Sequence, residues 1–332
     1  GNGYKLPDEV EDELEQYVLQ SVDNELPRPT GDGIGKIEHN SNLAHFYAHF
    51  VRHTIDTSLE GMTIVYDGAN GAASSVGPEI LAGLGAKVIN INVNPDGLNI
   101  NHHCGSTHIE GLQVAVQQHN ADLGIANDGD ADRCLLVDEK GQVLDGDQIM
   151  LLCALKLKEE GKLKDDTVVA TVMSNIGFHK AAEELGMKTF ATAVGDRYVL
   201  EYMREHNLSV GGEQSGHVIF LDHNTTGDGM LTAVQVAALM KEKNKPLSEL
   251  AGIMTKYPQV LINVRVATKT GWEDNDIIKA AIVTAEGELG AEGRVLVRAS
   301  GTEPLIRVMA EGPDQEALQS LCQEIADIIG RE

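Results

Sequence analysis

The sequence predicts an α/β protein that ends in a smaller α+β domain. Three observations carry that prediction. Residues 63–91 are echoed by residues 167–194, and each copy reads strand, Asn-containing Gly loop, amphipathic helix, Leu-Gly-x-Lys, strand. Strands alternating with helices at this length are β-α-β units, whose right-handed crossovers build a mostly parallel sheet covered on both faces. From residue 259 onward the order changes to strand, helix, strand, strand, helix. Finally, 332 residues correspond to about two or three domains, each long enough to bury its own core.

The elements follow in order. Residues 8–22 place Val10, Leu14, Tyr17 and Val18 at helical spacing between acids, an amphipathic helix. Pro27, Pro29, Gly31, Gly33 and Gly35 then interrupt regular structure. A second helix is predicted from Asn42 to Leu59, and Met62 to Tyr66 reads as a buried strand. The two repeat copies follow, with a junction near 148–150, after the loop Asp145-Gly146-Asp147-Gln148. Helices are predicted at 228–243 and 247–255. The last domain reads as strand 259–267, helix 274–286, strand 294–298, strand 305–310 and helix 314–329. Pro258 and the acidic, Gly-rich stretch around Trp272 mark its joins.

Composition narrows the function. Twenty-six basic against 51 acidic residues give a net charge of −25, which repels a nucleic-acid backbone or an anionic membrane. The longest apolar candidate, Met230 to Met240, is interrupted by Thr232 and Gln235 and falls short of the roughly 20 residues a bilayer span needs. Neither nucleic acid nor membrane is expected as a partner. Four cysteines without C-x-x-C spacing are too few for a disulfide framework, and no basic-then-apolar leader opens the chain. A cytoplasmic location is expected. The initial Gly1 suggests a processed or truncated chain.

Four loops carry chemistry. The first is Asp128-Gly129-Asp130-Ala131-Asp132-Arg133, directly after the strand-like residues 121–126. Like charges about 4 Å apart repel by a few kcal/mol at an effective dielectric of about 20, so three converging carboxylates call for a cation. Hard oxygen ligands suit Mg²⁺, which keeps coordination positions for phosphate. An EF-hand is the competing reading, with Glu139 at its twelfth position. It fails because Arg133 stands where the turn needs Gly, and because a strand precedes the loop. A solvated acidic turn is the other alternative. The second loop, Arg298 to Pro304 with Arg307 beyond it, offers hydroxyls and guanidiniums suited to an anion; a plain strand-to-strand turn competes with it. The third, Gly211 to His217, puts Glu213 and Ser215 on one side if extended, a carboxylate and a hydroxyl able to hold sugar hydroxyls or an amine. A simple hairpin would explain its glycines alone. The fourth, Gly195-Asp196-Arg197-Tyr198, places an arginine at a strand end, where ligands bind in α/β folds.

Other motifs weigh less. Asp67 to Gly71 lacks the G-x-G-x-x-G register of a dinucleotide site. His45, His49 and His53 share one helix face, and His102, His103, Cys104 and His108 crowd one loop; an exposed face and an ordinary loop are the favoured readings over Zn²⁺. His217 reads as a structural histidine near the third loop, with acid–base work as the alternative.

Taken together, DGDADR (128–133), GDRY (195–198), GEQSGH (212–217) and RASGTEPLIRVMAEG (298–312) resemble the α-D-phosphohexomutase superfamily, and the similarity covers nearly the whole chain. Supporting stretches are DGANGAAS (67–74), NPDGLNIN with CGSTH (94–108), VLDGDQIM (143–150) and HNTTGDG (223–229). The resemblance implies two tandem similar α/β domains (58–149 and 150–254) and a C-terminal α+β domain of TATA-box-binding-protein-like fold (255–332). Residues 1–57 would be the remnant of a first α/β domain with its connector. It further implies Mg²⁺ on Asp128, Asp130 and Asp132, with Arg133 near the transferring phosphoryl group. Glu213 and Ser215 would contact the sugar, with Asp196 and Arg197 at the hinge-side sugar loop. Arg298, Ser300, Gly301, Thr302 and Arg307 would grip the substrate phosphate. The GEQSGH form points to a phosphorylated hexosamine, interconverting glucosamine 6-phosphate and glucosamine 1-phosphate through a phosphoserine and a bisphosphate, within amino-sugar and cell-wall precursor synthesis. A mannose or glucose phosphate mutase, or a non-catalytic sugar-phosphate-binding protein, are the alternatives, and a homodimer is left open. Two departures stand out. Ala131 occupies a usual Gly position, restricting the loop backbone. The family's Ser-His-Asn-Pro loop is absent from these residues, so the chain alone is expected to be inactive.

Overall fold

The computed structural model describes residues 3–19, 27–40, 42–300 and 303–331. Helix α1 (Asp8–Leu19) matches the amphipathic pattern, and the rest of the expected helix lies outside the described residues. Helix α2 (Asn42–Arg52) stops well before Leu59. Its end is set by side chains: His53 Nδ1 bonds the His49 carbonyl at 2.7 Å and Thr54 Oγ1 donates to the Val51 carbonyl at 2.7 Å. The backbone N–H groups of His53 and Thr54 reach the same two carbonyls at 3.2 and 3.1 Å, which completes the last turn.

Both repeat copies form as read. In the first, β1 (Thr63–Asp67), α3 (Val76–Gly83) and β2 (Lys87–Ile91) pair β1 with β2 in parallel, Thr63 facing Lys87. The second comprises β6 (Thr167–Thr171), α6 (Ile176–Glu184) and β7 (Lys188–Thr192), with Thr167 facing Lys188. The Leu-Gly-x-Lys signature is a helix C-cap. Gly85 and Gly186 take φ of +94° and +69°, and the next residue's N–H reaches back to Leu81 or Ala182 at 3.1 and 2.8 Å. This is the left-handed Schellman closure that glycine accepts without strain.

The equivalence extends further than the motif. After α4 (Glu110–His119), β3 (Leu123–Asn127) joins β1 in parallel; after α7 (Asp196–Glu205), β8 (Val210–Gly212) joins β6 in the same way. Each then turns back as an antiparallel hairpin, into β4 (Cys134–Asp138) or β9 (Val218–Phe220). With the short β5 (Val143–Leu144), the sheet orders are β2-β1-β3-β4-β5 and β7-β6-β8-β9. The sheets are therefore mixed, with antiparallel strands at one edge.

The two units do not bury separate cores. Helix α5 (Gly146–Glu159) runs through residues 149–150, where the junction was placed, and packs with α8 (Gly229–Lys243) between the sheets. One apolar cluster joins Ile64, Leu123 and Leu136 to Val168, Val210 and Val218. From Gly229 to Met240 every residue of α8 is buried, which accounts for the apolar run at 230–240. Among the described residues no helix is long and apolar enough to cross a membrane. The outer sheet faces are covered by α4 over Val65 and Val137, and by α7 over Val169 and Ile219.

Beyond α9 (Leu247–Leu250), shorter than the expected 247–255, lies the C-terminal domain. An antiparallel sheet β10-β12-β11 combines β10 (Gln259–Arg265), β11 (Arg294–Ala299) and β12 (Leu305–Glu311). Helices α10 (Asp276–Leu289) and α11 (Gln315–Ile329) bury Ile278, Leu318, Cys322 and Ile325 against it. Glu311, fully buried, ties this domain to the second sheet: it accepts from Arg294 Nε at 2.8 Å and from the Ile176 N–H at 2.9 Å.

Candidate functional site

The acidic loop is the β3–β4 hairpin. Its three carboxylates come together, with one oxygen from each of Asp128, Asp130 and Asp132 within 4.8 Å of the others. Neighbours hold them there against repulsion. Tyr66 Oη donates to Asn127 Oδ1 at 3.0 Å, and Asn127 Nδ2 donates to the Arg133 carbonyl at 2.7 Å. The Gly129 carbonyl accepts from the Ala72 N–H at 2.8 Å, and the Ala131 carbonyl from the Gly229 N–H at 2.9 Å. Two of these contacts need glycine. A Cβ on Gly229 would stand 2.2 Å from the Arg133 oxygen, and one on Gly71 2.2 Å from the Gly129 oxygen. Ala131 adopts φ +63°, the left-handed region that glycine prefers, so the departure at this position is carried as backbone strain.

The electrostatics match the geometry. Burial, then the neighbouring Asp132, pushes the Asp128 carboxyl up to about 6, and burial with Asp130 raises Asp132. Asp132 Oδ1 is buried without a hydrogen-bond donor. Three clustered oxygen ligands, one of them orphaned, fit a small hard cation. Arg133 lies alongside, its Nε 3.8 Å from Asp128 and 3.9 Å from Asp132.

The Glu213–His217 loop is the equivalent hairpin, β8–β9, and it docks edge to edge with the first. Arg133 and His217 form an antiparallel bridge, and Cys134 N–H donates to the Gly216 carbonyl at 3.0 Å. The loop is not extended: the Gly216 N–H closes on the Glu213 carbonyl at 3.0 Å, with Gly216 at φ +96°. Glu213, half-buried, accepts through Oε1 from the Gly195 N–H at 3.1 Å, and Ser215 is exposed.

His217 lies enclosed where the two hairpins meet. Its side chain is 3% exposed, and Nε2 lies 3.4 Å from Asp132 and 3.6 Å from Asp196. Neither ring nitrogen makes a hydrogen bond, and burial holds the imidazole below its ordinary pKa despite Asp196 and Glu213. Gly227 makes the space, since a Cβ there would sit 2.4 Å from Nε2.

Asp196 opens α7 and is ion-paired with Lys5, a residue without any local sequence signal. Burial raises the Asp196 carboxyl, but Lys5 and His217 outweigh that and hold it below the usual range. The arm carrying Lys5 is fastened by Thr225 Oγ1 donating to the Gly3 carbonyl at 2.5 Å and by Arg204 over the Tyr4 ring at 4.0 Å. Arg197 lies along its own helix, with Nε on Glu201 Oε1 at 2.8 Å.

The remaining loop belongs to the C-terminal sheet. Arg298 and Arg307 face each other across β11 and β12, and burial together with Arg307 lowers the pKa of Arg298. Arg307 also meets Glu303 at 3.3 Å. Ser300 is buried, its carbonyl accepting from Lys269 Nζ at 2.8 Å and its Oγ from the Glu303 N–H at 3.3 Å. Gly301 and Thr302 lie outside the described residues.

The histidine groups do not converge on a metal. His45 bonds Glu79 at 2.9 Å, His49 stacks on His53, and His103 meets His102 and His108 edge-on. Among the described residues, Asp128, Asp130 and Asp132 are the group whose ligand atoms gather. All four cysteines are free and buried.

Comparison with known proteins adds three family matches. Residues 44–141 match "Phosphoglucomutase/phosphomannomutase, alpha/beta/alpha domain II", residues 145–257 its domain III, and residues 261–328 its C-terminal domain. The chain is 54% identical to the phosphoglucosamine mutase of Symbiobacterium thermophilum over 334 residues, covering all of this chain and 74% of that protein. It is 52% identical to the phosphoglucosamine mutase of Geobacillus thermodenitrificans, again covering all of this chain and 74% of the relative. Among solved structures, a phosphoglucomutase/phosphomannomutase family protein from Burkholderia thailandensis superposes with a TM-score of 0.75 at 20% identity, covering 97% of this chain and 71% of the other. Aspergillus fumigatus N-acetylphosphoglucosamine mutase, solved in complex with GlcNAc-6P and magnesium, gives 0.68 at 23% identity, covering 84% and 68%. At these identities the two structures speak for the fold.

Proposed function

Because this chain belongs to the phosphoglucomutase/phosphomannomutase family, we propose that it serves the interconversion of glucosamine 6-phosphate and glucosamine 1-phosphate, as the names of its relatives suggest. One observation carries the assignment of roles: the docking of the two hairpins, which sets the acidic triad beside an unpaired imidazole. Asp128, Asp130 and Asp132 would hold Mg²⁺, which when bound offsets charge on a transferring phosphoryl group. Arg133 would orient that group from the side of the triad. Arg298, Ser300, Gly301, Thr302 and Arg307 would grip the phosphate at the far end of the sugar, where paired guanidiniums suit phosphate oxygens.

Glu213 and Ser215 would hold the sugar's amine and hydroxyls, with Asp196 and Arg197 at the same rim. His217 is neutral near pH 7 because burial depresses its pKa, so Nε2 can take a proton from an attacking sugar hydroxyl. Lys5 keeps Asp196 ionised beside it. The family's phosphoryl donor sits in a Ser-His-Asn-Pro loop, and these 332 residues contain no such sequence. Four buried, unpaired cysteines fit a reducing, cytoplasmic setting.

The test is calorimetric. Glucosamine 6-phosphate should bind in the presence of Mg²⁺, more tightly than mannose or glucose 6-phosphate, and Arg307→Gln should abolish the difference from buffer. Tighter binding of a non-amino sugar phosphate would overturn the substrate assignment. Supplied with a phosphoserine segment, the protein should isomerise glucosamine 6-phosphate, and His217→Gln should slow turnover about 100-fold.

A further inference from the structure

A second concave site lies in the C-terminal domain, built from side chains that the mutase reading does not use. It is a cleft of 500 Å³ between the end of β10, the turn leading into α10, and the end of α11. Its floor is apolar, made by Val266, Ile278, Ile306 and Ile329. Arg265 and Arg331 stand at its rim, exposed, and neither is ion-paired among the described residues. In a chain of net charge −25, two guanidiniums without carboxylate partners at one cleft are a local exception. The third feature is Trp272. Its ring lines the cleft, and its indole Nε1–H is buried with no acceptor.

These features specify a ligand. An apolar floor under a polar rim that carries two arginines is suited to a small amphipathic ligand. Two arginines on one rim suit a phosphate or carboxylate. The isoleucine floor and the tryptophan ring select a flat apolar ring. We propose that this cleft binds a ring-bearing anion of the nucleoside monophosphate class, its phosphate on Arg265 and Arg331 and its ring between Trp272 and the isoleucines.

The chain contains a single tryptophan, so indole fluorescence reports on this cleft alone. Titration with AMP or UMP should give a saturable emission change with Kd below about 1 mM. Adenosine and inorganic phosphate, each carrying half of the recognition, should bind at least about 10-fold more weakly, a difference of about 1.4 kcal/mol. The double substitution R265Q/R331Q should weaken AMP about 10-fold or more, and because both side chains are exposed and unpaired, the circular dichroism and melting curve should stay unchanged. Arg307→Gln, which tests the sugar-phosphate assignment, should leave the AMP response intact. No saturable response to either nucleotide overturns the proposal. So does an AMP response that survives R265Q/R331Q or disappears in Arg307→Gln, since the nucleotide would then sit elsewhere. None of these outcomes bears on whether glucosamine 6-phosphate binds.

Discussion

The β3–β4 and β8–β9 hairpins occupy equivalent places in the two halves of the repeat, yet they are held in different ways. The first carries three mutually repelling carboxylates and is pinned from outside, by Asn127 and Tyr66 below it, Ala72 beside it and Gly229 across from it. The second carries Glu213 and His217 on a tight turn closed by its own backbone, Gly216 N–H on the Glu213 carbonyl at 3.0 Å and Glu213 N–H on the His217 carbonyl at 2.9 Å, and is braced from outside by Gly146 N–H on the Gln214 carbonyl at 2.9 Å. Charges that oppose one another cannot hold their own loop together, so the scaffold must. A turn that closes part of its own backbone leaves fewer carbonyls for the scaffold to hold, here those of Gln214 and Gly216. The same topology therefore supports a rigid acidic centre in one copy and a compact polar turn in the other.

Glycine substitutions behind each hairpin should break that equivalence most sharply. Gly229→Ala drives a Cβ into the Arg133 carbonyl, and Gly146→Ala drives one to 2.0 Å from the Glu213 carbonyl. Each should destabilise by about 3 kcal/mol or more, measured by urea denaturation. Only the first should also abolish Mg²⁺ binding measured by calorimetry at a temperature where both variants are folded.

Titration should separate the hairpins at nearly the same magnitude. The Asp128 carboxyl is raised from 3.8 to about 6 in the folded protein, so it binds a proton more tightly folded than unfolded. Its contribution favours the fold below pH 3.8 and is lost as pH rises through 6, a change on the order of 3 kcal/mol. Without Mg²⁺, Asp128→Asn should raise the melting temperature at pH 8 more than at pH 4.5. Mg²⁺, which binds the ionised triad, should raise the wild-type melting temperature at pH 8 and have little effect at pH 4.5.

Smaller changes sharpen the comparison. Tyr66→Phe removes the donor to Asn127 Oδ1 and should cost about 1–2 kcal/mol, lowering Mg²⁺ affinity while leaving sugar-phosphate affinity near wild type. Ala131→Gly relieves the left-handed strain but adds unfolded-chain entropy, so stability should change by less than about 1 kcal/mol in denaturant melts.

Legibility in the sequence followed the range of the interactions. The paired β-α-β copies were readable because each helix announces its own end through Leu-Gly-x-Lys, a cap completed within six residues. The acidic triad was readable because three aspartates at alternate positions are a local fact. The junction at 149–150 was not, because α5 runs unbroken through it and its apolar residues serve both sheets. The end of α2 was missed because His53 and Thr54, unremarkable in composition, bond carbonyls of the helix they terminate. Glu213 and Ser215 share a side only in an extended loop, and the turn closed by the Gly216 N–H on the Glu213 carbonyl is not extended.

By itself the sequence determined the α/β repeat, the C-terminal α+β domain, the acidic and arginine-bearing loops, and the resemblance that family membership later established. Periodicity, caps and charge spacing act between neighbours, and neighbours are visible along a chain. Tertiary structure alone decided that the two sheets share one core through α5 and α8. It also decided that His217 lies unpaired between Asp132 and Asp196, and that Lys5 reaches Asp196 from 191 residues away. Those arrangements follow from how buried faces pack and which backbone edges meet, and no stretch of local sequence encodes that meeting.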